Sequence, residues 1–172
     1  LKLMSVCPLP DLELEVFLTD IRFSLLSSIS KASISPKFLR FQTALALQCF
    51  TNEYIYNQTA KEDEEREALN ISVKKTLSSG TQPSPQSILC LASYKSLHDY
   101  DWTDLLVMTA DIEEVFTRQI LEPRKEGSLK TKIPILEEVS DKVSCKVRGQ
   151  YEENPYPRWV DLGLRLKPVA IS

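Results

Sequence analysis

Glycine is scarce in this chain, with 4 in 172 residues against 10 prolines. That leaves little material for phosphate-cradling loops or for the left-handed turns of a hairpin-rich β fold. Neither GxGxxG nor a GxxxxGK loop occurs. His98 is the one histidine, so any imidazole chemistry has to use it. Cys7, Cys49, Cys90 and Cys145 stand 42, 41 and 55 residues apart and form no CxxC pair, which excludes the usual zinc spacings. The carboxylates lack the alternating spacing of a calcium loop. Net charge is −3, without the basic excess that marks a nucleic-acid binder. No uncharged apolar run approaches the roughly 18 residues of a membrane span. The first ten residues, interrupted by Pro8 and Pro10, are too short for a signal peptide. The thiols therefore read as free ones in a reducing, cytoplasmic setting. On that reading the triplets at Asn57 and Asn70 are chance glycosylation matches. No cofactor, nucleic acid or membrane is expected for this chain.

Apolar residues make up 42% and charged residues 26%, enough for a core in a chain of single-domain length. The periodicity is helical. Asp11 is a good N-cap, and Leu14, Phe17, Leu18, Ile21, Leu25 and Ile29 follow at spacings of three and four. Ser35-Pro36 starts a second helix over 37–57, apolar on several sides and so expected to be central. Thr59 and Glu62 match a capping box for a helix over 60–78, with Gly80 as its terminator. Ser84-Pro85 opens a fourth helix, carrying Ile88, Leu89, Leu91, Ala92 and Leu97. Residues 98–101 interrupt it, and 102–108 read as a short helix. Another helix opens at Asp111 and is expected to end at Pro123, with an exposed basic connection over 123–134. Val139, Val143 and Val147 mark a last helix over 137–151. The expected architecture is all-α: an irregular bundle of six or seven helices over 1–151, then an extended proline- and aromatic-rich strap over 152–172.

Most candidate chemistry reads as ordinary surface. His98 has Asp99 and Asp101 nearby in sequence but no marked nucleophile. Glu137-Glu138 and Glu152-Glu153 are adjacent pairs, which point about 100° apart on a helix and are usually solvated. Arg124, Lys125, Lys130 and Lys132 lack interleaved aromatics. Two segments differ. Gln48, Asn52 and Tyr56 line up at spacings of four on the central helix, with Glu53 beside them. If buried, they need partners, since an unpaired buried polar group costs about 1–3 kcal/mol. They form either a satisfied internal network or a polar cleft. The second segment holds Tyr151, Glu153, Asn154, Tyr156, Arg158 and Trp159, where Pro155 and Pro157 impose an extended backbone. Its aromatics and arginine make a stiff strap that docks on its own helices, a neighbouring domain or a ligand. Both polar sets lack obvious partners, so Arg158 is expected to reach an acid, with Glu53 the choice.

The nonapeptide YEENPYPRW at 151–159, preceded by Val147-Arg148-Gly149-Gln150, resembles a signature of bacterial methyltransferases that carry tetratricopeptide repeats. LQCFTNEYIY at 47–56, LCLASYKSLHDYDWTDLL at 89–106 and QILEP at 119–123 fit the same region. The resemblance covers roughly residues 40–165. It implies a helical region lying just before a class I S-adenosylmethionine-dependent methyltransferase domain. In that family the repeats would precede Leu1 and the catalytic domain would follow near Ser172. The last glycine is Gly163, so no cofactor-binding residue carries over, and S-adenosylmethionine belongs to the following domain. The implied role is a non-catalytic module that orients or completes a neighbouring methyltransferase domain. A stand-alone helical interaction module and an enzyme built on His98 and carboxylates are the alternatives.

Overall fold

The computed structural model describes residues 1–29, 35–132 and 141–153. Local signals set most of its boundaries. The Asp11 carboxylate accepts from the Leu14 N–H at 2.8 Å and starts α1 (Leu12–Ser27). Ser35 caps the Phe38 N–H, and Pro36 begins α2 (Pro36–Thr51). Thr59 and Glu62 complete their reciprocal capping box at the start of α3 (Ala60–Ser78). Ser84 caps α4 (Pro85–Ala92). Each cap satisfies amides that the helix itself leaves open. The described residues are all-α, with no strand.

Contacts divide the chain into two units, Leu1–Thr131 and Lys132–Ser172. In the first, α2 is central and packs most extensively on α4. Its last eight residues, 44–51, are all buried. The main core joins Leu47, Leu89, Leu91, Leu97, Val115 and Ile120, closed by Trp102. A second cluster sets Leu18 of α1 against Leu45, Cys49 and Tyr56. A third sets Leu26 against Cys90 and Tyr94. Truncating one such leucine costs about 2–5 kcal/mol through lost transfer energy and a residual cavity. The second unit contains α7 (Lys142–Glu153), started by the Asp141 carboxylate accepting from Ser144 N–H at 2.8 Å.

Several expected boundaries move. Helix α2 stops at Thr51 instead of reaching residue 57. The Tyr54 N–H reaches back to the Cys49 carbonyl at 2.8 Å, and the Glu53 N–H to the Phe50 carbonyl at 3.3 Å. This is the paired-bond terminator usually built on glycine. Here Glu53 and Tyr54 adopt the left-handed backbone, with φ of 59° and 57°. A side chain there costs about 1–2 kcal/mol. Helix α4 stops at Ala92, and the expected helix over 102–108 shrinks to a 3-10 turn, Thr103–Leu105, after another at Leu97–Asp99.

Pro123 does not end its helix. Helix α5 (Glu113–Phe116) widens into a π turn (Thr117–Leu121) and continues as α6 (Glu122–Lys130). Proline normally breaks a helix because it donates no N–H to the carbonyl four residues back. That carbonyl belongs to Gln119 and accepts from Ser96 Oγ at 3.3 Å instead. The π turn thus resets the ladder, and Pro123 falls in the first turn of α6, where proline is tolerated. Residues 123–130, expected as a connection, are therefore helical, though none of α6 is buried. The expected start of the last helix, at 137, lies outside the described residues, which take it up at Lys142.

Candidate functional site

Of the polar row expected on one helix, Gln48 lies on α2 and Asn52 caps its end, and both bond within the bundle, whereas Glu53 and Tyr56 follow the helix end. Gln48 is fully buried. In the amide orientation that satisfies every neighbour, its nitrogen donates to the Met4 and Cys7 carbonyls at 3.0 and 3.1 Å. Its oxygen accepts from the Leu9 N–H at 3.1 Å. Asn52, also buried, accepts from the Tyr54 N–H at 3.1 Å and so helps terminate α2. Tyr56 is buried against Leu18, Leu45 and Cys49, and burial pushes its phenol up to about 12. Glu53 is exposed on the left-handed turn. Gln48, Asn52 and Tyr56 are therefore buried and line no open cleft. Tyr151 and Glu153 belong to α7. Asn154, Tyr156, Arg158 and Trp159 lie outside the described residues, and so does the expected Arg158–Glu53 pair. His98 is exposed on the first 3-10 turn.

The most concentrated polar chemistry lies elsewhere, between α1, α3 and α4. Arg22 has a side-chain exposure of 0% and Glu62 of 3%, and they pair at 3.2 Å. The same guanidinium nitrogen donates to the Asn57 carbonyl at 2.7 Å. Tyr94 donates its hydroxyl to Glu62 at 2.9 Å, and its ring lies 4.3 Å from the Arg22 guanidinium carbon. Burying two charges is costly, and pairing plus added hydrogen bonds offset that cost. Here the phenol and a peptide carbonyl supply the added bonds. Burial pushes the Tyr94 hydroxyl far above the ordinary phenol range, so it stays a donor. Burial also pushes the Cys49 and Cys90 thiols up to about 12, against the opposing pull of Arg22. They remain protonated near neutrality, which makes them poor nucleophiles.

A second hub sits on the π turn. Gln119 is fully buried and donates to the Ala92 carbonyl at 3.1 Å and the Ala46 carbonyl at 3.4 Å. Its oxygen accepts from the Leu97 N–H at 3.1 Å. One amide thus ties α2, the end of α4 and the following turn together.

Sequence reasoning missed both hubs. Arg22 left a visible signal, a charge on the apolar stripe of α1 between Leu18 and Leu26. Gln119 left none, because its partners are main-chain atoms 22 to 73 residues away.

Outward, one groove of about 330 Å³ runs between α3 and the turns after α4. Arg66, Lys74 and Lys95 line it together with Glu67, Asp99 and Asp101. Lys74 pairs with Asp101, and Lys95 donates to the Asp99 carbonyl at 3.0 Å. Its charges are thus largely engaged with one another. Among the described residues, no group of three or more His, Cys, Asp or Glu converges as metal ligands. None of their helices is long and apolar enough to cross a membrane. Comparison with protein-family models, curated proteins and solved structures gives no match to this chain.

Proposed function

We propose that this chain is a non-catalytic helical module that orients or completes a neighbouring catalytic domain. One observation carries the reading: Gln48 and Asn52, polar side chains at the end of the central helix that could have lined a cleft, are spent on the bundle itself. Gln48 binds three main-chain groups and Asn52 closes the helix end. The larger hubs, Arg22 with Glu62 and Gln119, likewise fasten helix to helix. Such an interior preserves a shape, and a preserved shape suits a part that positions something else.

The resemblance of residues 151–159 to the segment before a methyltransferase domain supplies the neighbour's chemistry, an S-adenosylmethionine-dependent transfer. Tyr151, Glu153, Asn154, Tyr156, Arg158 and Trp159 are its proposed docking residues. Of the row at 48–56 only Glu53, on the turn that follows the central helix, remains a docking candidate, near Ile55, which is 67% exposed. Calorimetric titration of S-adenosylmethionine into this chain tests the proposal. The expected outcome is no binding heat, and micromolar binding by the chain alone overturns it.

A further inference from the structure

Residues 1–9 are held to the bundle in an unusual way. They form consecutive turns, with the Ser5 N–H bonded to the Leu1 carbonyl at 3.3 Å and the Cys7 N–H to the Leu3 carbonyl at 3.2 Å. The bundle grips this strap through side chains, and each grip lands on strap main chain. Gln48 takes the Met4 and Cys7 carbonyls and the Leu9 N–H. Arg118, on the π turn, donates to the Ser5 carbonyl and, at 3.3 Å, to the Thr51 hydroxyl. Thr51 in turn donates to the Leu47 carbonyl of α2 at 2.7 Å. The guanidinium carbon also lies 5.9 Å from the Phe50 ring centre. The one strap side chain in the neighbouring apolar cluster is Met4, packed with Leu18, Leu45, Cys49 and Tyr56.

Main-chain recognition reads a backbone shape and leaves sequence almost free, so an apolar anchor at one position supplies the selectivity. Methionine adapts well to such a role. The junction keeps the strap separate from α1. Pro8 and Pro10 lack the N–H that helix extension would need, and each disfavours helical backbone in the residue before it. The strap is therefore a tethered peptide in a groove made by α2 and the π turn.

We propose that the groove formed by Gln48, Thr51 and Arg118 is a peptide-docking site, filled in this structure by the chain's own residues 1–9. Its ligand class is a short turn-forming peptide with one flexible apolar side chain at the place of Met4. Any such peptide must first displace the tethered strap, so the strap sets the affinity threshold of the site.

The test uses the full chain and a fluorescein-labelled decapeptide with the sequence of residues 1–10, under reducing conditions. Met4→Ala weakens the strap and leaves the groove intact. Fluorescence anisotropy is expected to show saturable peptide binding to Met4→Ala, and at least about tenfold weaker binding to the unsubstituted chain, where the tether competes at high effective concentration. Adding Gln48→Ala to Met4→Ala is expected to abolish binding while helical circular dichroism persists. No saturable binding to Met4→Ala, or equal binding to both chains, overturns the proposal. If Met4→Ala loses its helical signal, hydrogen exchange on the unsubstituted chain decides. The Leu9 amide is expected to exchange at least about tenfold faster than the amides of residues 44–51, as a separately opening strap requires. Exchange of both sets together overturns it.

Discussion

Helix α3 carries two charged sites that differ in little except solvent. In its first turn Glu62 meets Arg22 with both side chains at most 3% exposed. Three turns later Lys74 meets Asp101 with side chains 54% and 65% exposed. Both pairs tie α3 to another part of the first unit, one inside the bundle and one at the rim of the surface groove. In the buried pair one guanidinium nitrogen also donates to the Asn57 carbonyl and the Tyr94 hydroxyl donates to Glu62, protein bonds that offset the loss of hydration on burial. The exposed pair has water on both sides. The same charges are thus structural in one place and nearly optional in the other.

Removing one member of the buried pair is the strongest way to break this comparison. Arg22→Ala is expected to lose about 3–5 kcal/mol, since it leaves the Glu62 carboxylate buried without its counter-charge. The double substitution Arg22→Met with Glu62→Leu is expected to lose less than Arg22→Ala, because no charge is then stranded. Urea denaturation of the three proteins measures both. A double substitution at least as damaging as the single one would show that the pair matters for its packing instead.

Alkali probes the same interior. The folded-state values of Cys49 and Cys90 are raised from 9.0 to about 12, and that of Tyr56 from 10.0 to about 12, all chiefly by burial. Tyr94 is raised as well. For a group raised on folding, the unfolded chain releases its proton first. Stability is then fully present below about pH 9 and falls as pH rises toward about 12. Thermal unfolding followed across that window is expected to show a flat region and then a steady decline. A transition temperature unchanged up to pH 11 would contradict the burial of these groups.

Much of the architecture was legible from single residues, for a physical reason. The caps at Asp11, Ser35, Thr59 and Ser84 act within three residues of themselves, so local sequence contains the whole interaction. The failures have partners far away. Pro123 reads as a stop until Ser96 satisfies the carbonyl it abandons, 23 residues from that donor. Glu53 reads as mid-helix because glycine ordinarily marks such a terminator, and here a glutamate bears the strain. The row of Gln48, Asn52 and Tyr56 was visible, but a network and a cleft share that spacing. Only the position of Met4, Cys7 and Leu9 against Gln48 decides between them.

A milder change sharpens the contrast from within the buried site. Tyr94→Phe removes the hydroxyl that donates to Glu62 at 2.9 Å and keeps the ring over Arg22. Hydrogen bonds to charged groups contribute about 1.5–3 kcal/mol, so the expected loss lies in that range, below that of Arg22→Ala. Calorimetric unfolding measures it. A loss near zero would mean that the ring, and not the hydroxyl, carries the contribution of Tyr94.

The smallest effect belongs to the rim. Lys74→Ala is expected to change stability by no more than about 1 kcal/mol, because water solvates both charges nearly as well as they solvate each other. Whatever loss appears should fade with salt, since screening shortens the reach of exposed charges to about 3 Å at 1 M. The buried pair gives the control, because Arg22→Ala should cost nearly the same at low and high salt. Comparing both variants by urea denaturation in 0.05 M and 1 M sodium chloride therefore isolates burial as the variable. If Lys74→Ala proved as costly as Arg22→Ala, and equally so in both salts, the surface groove would have to be as dry as the interior. Its charges would then need the same account as Arg22 and Glu62.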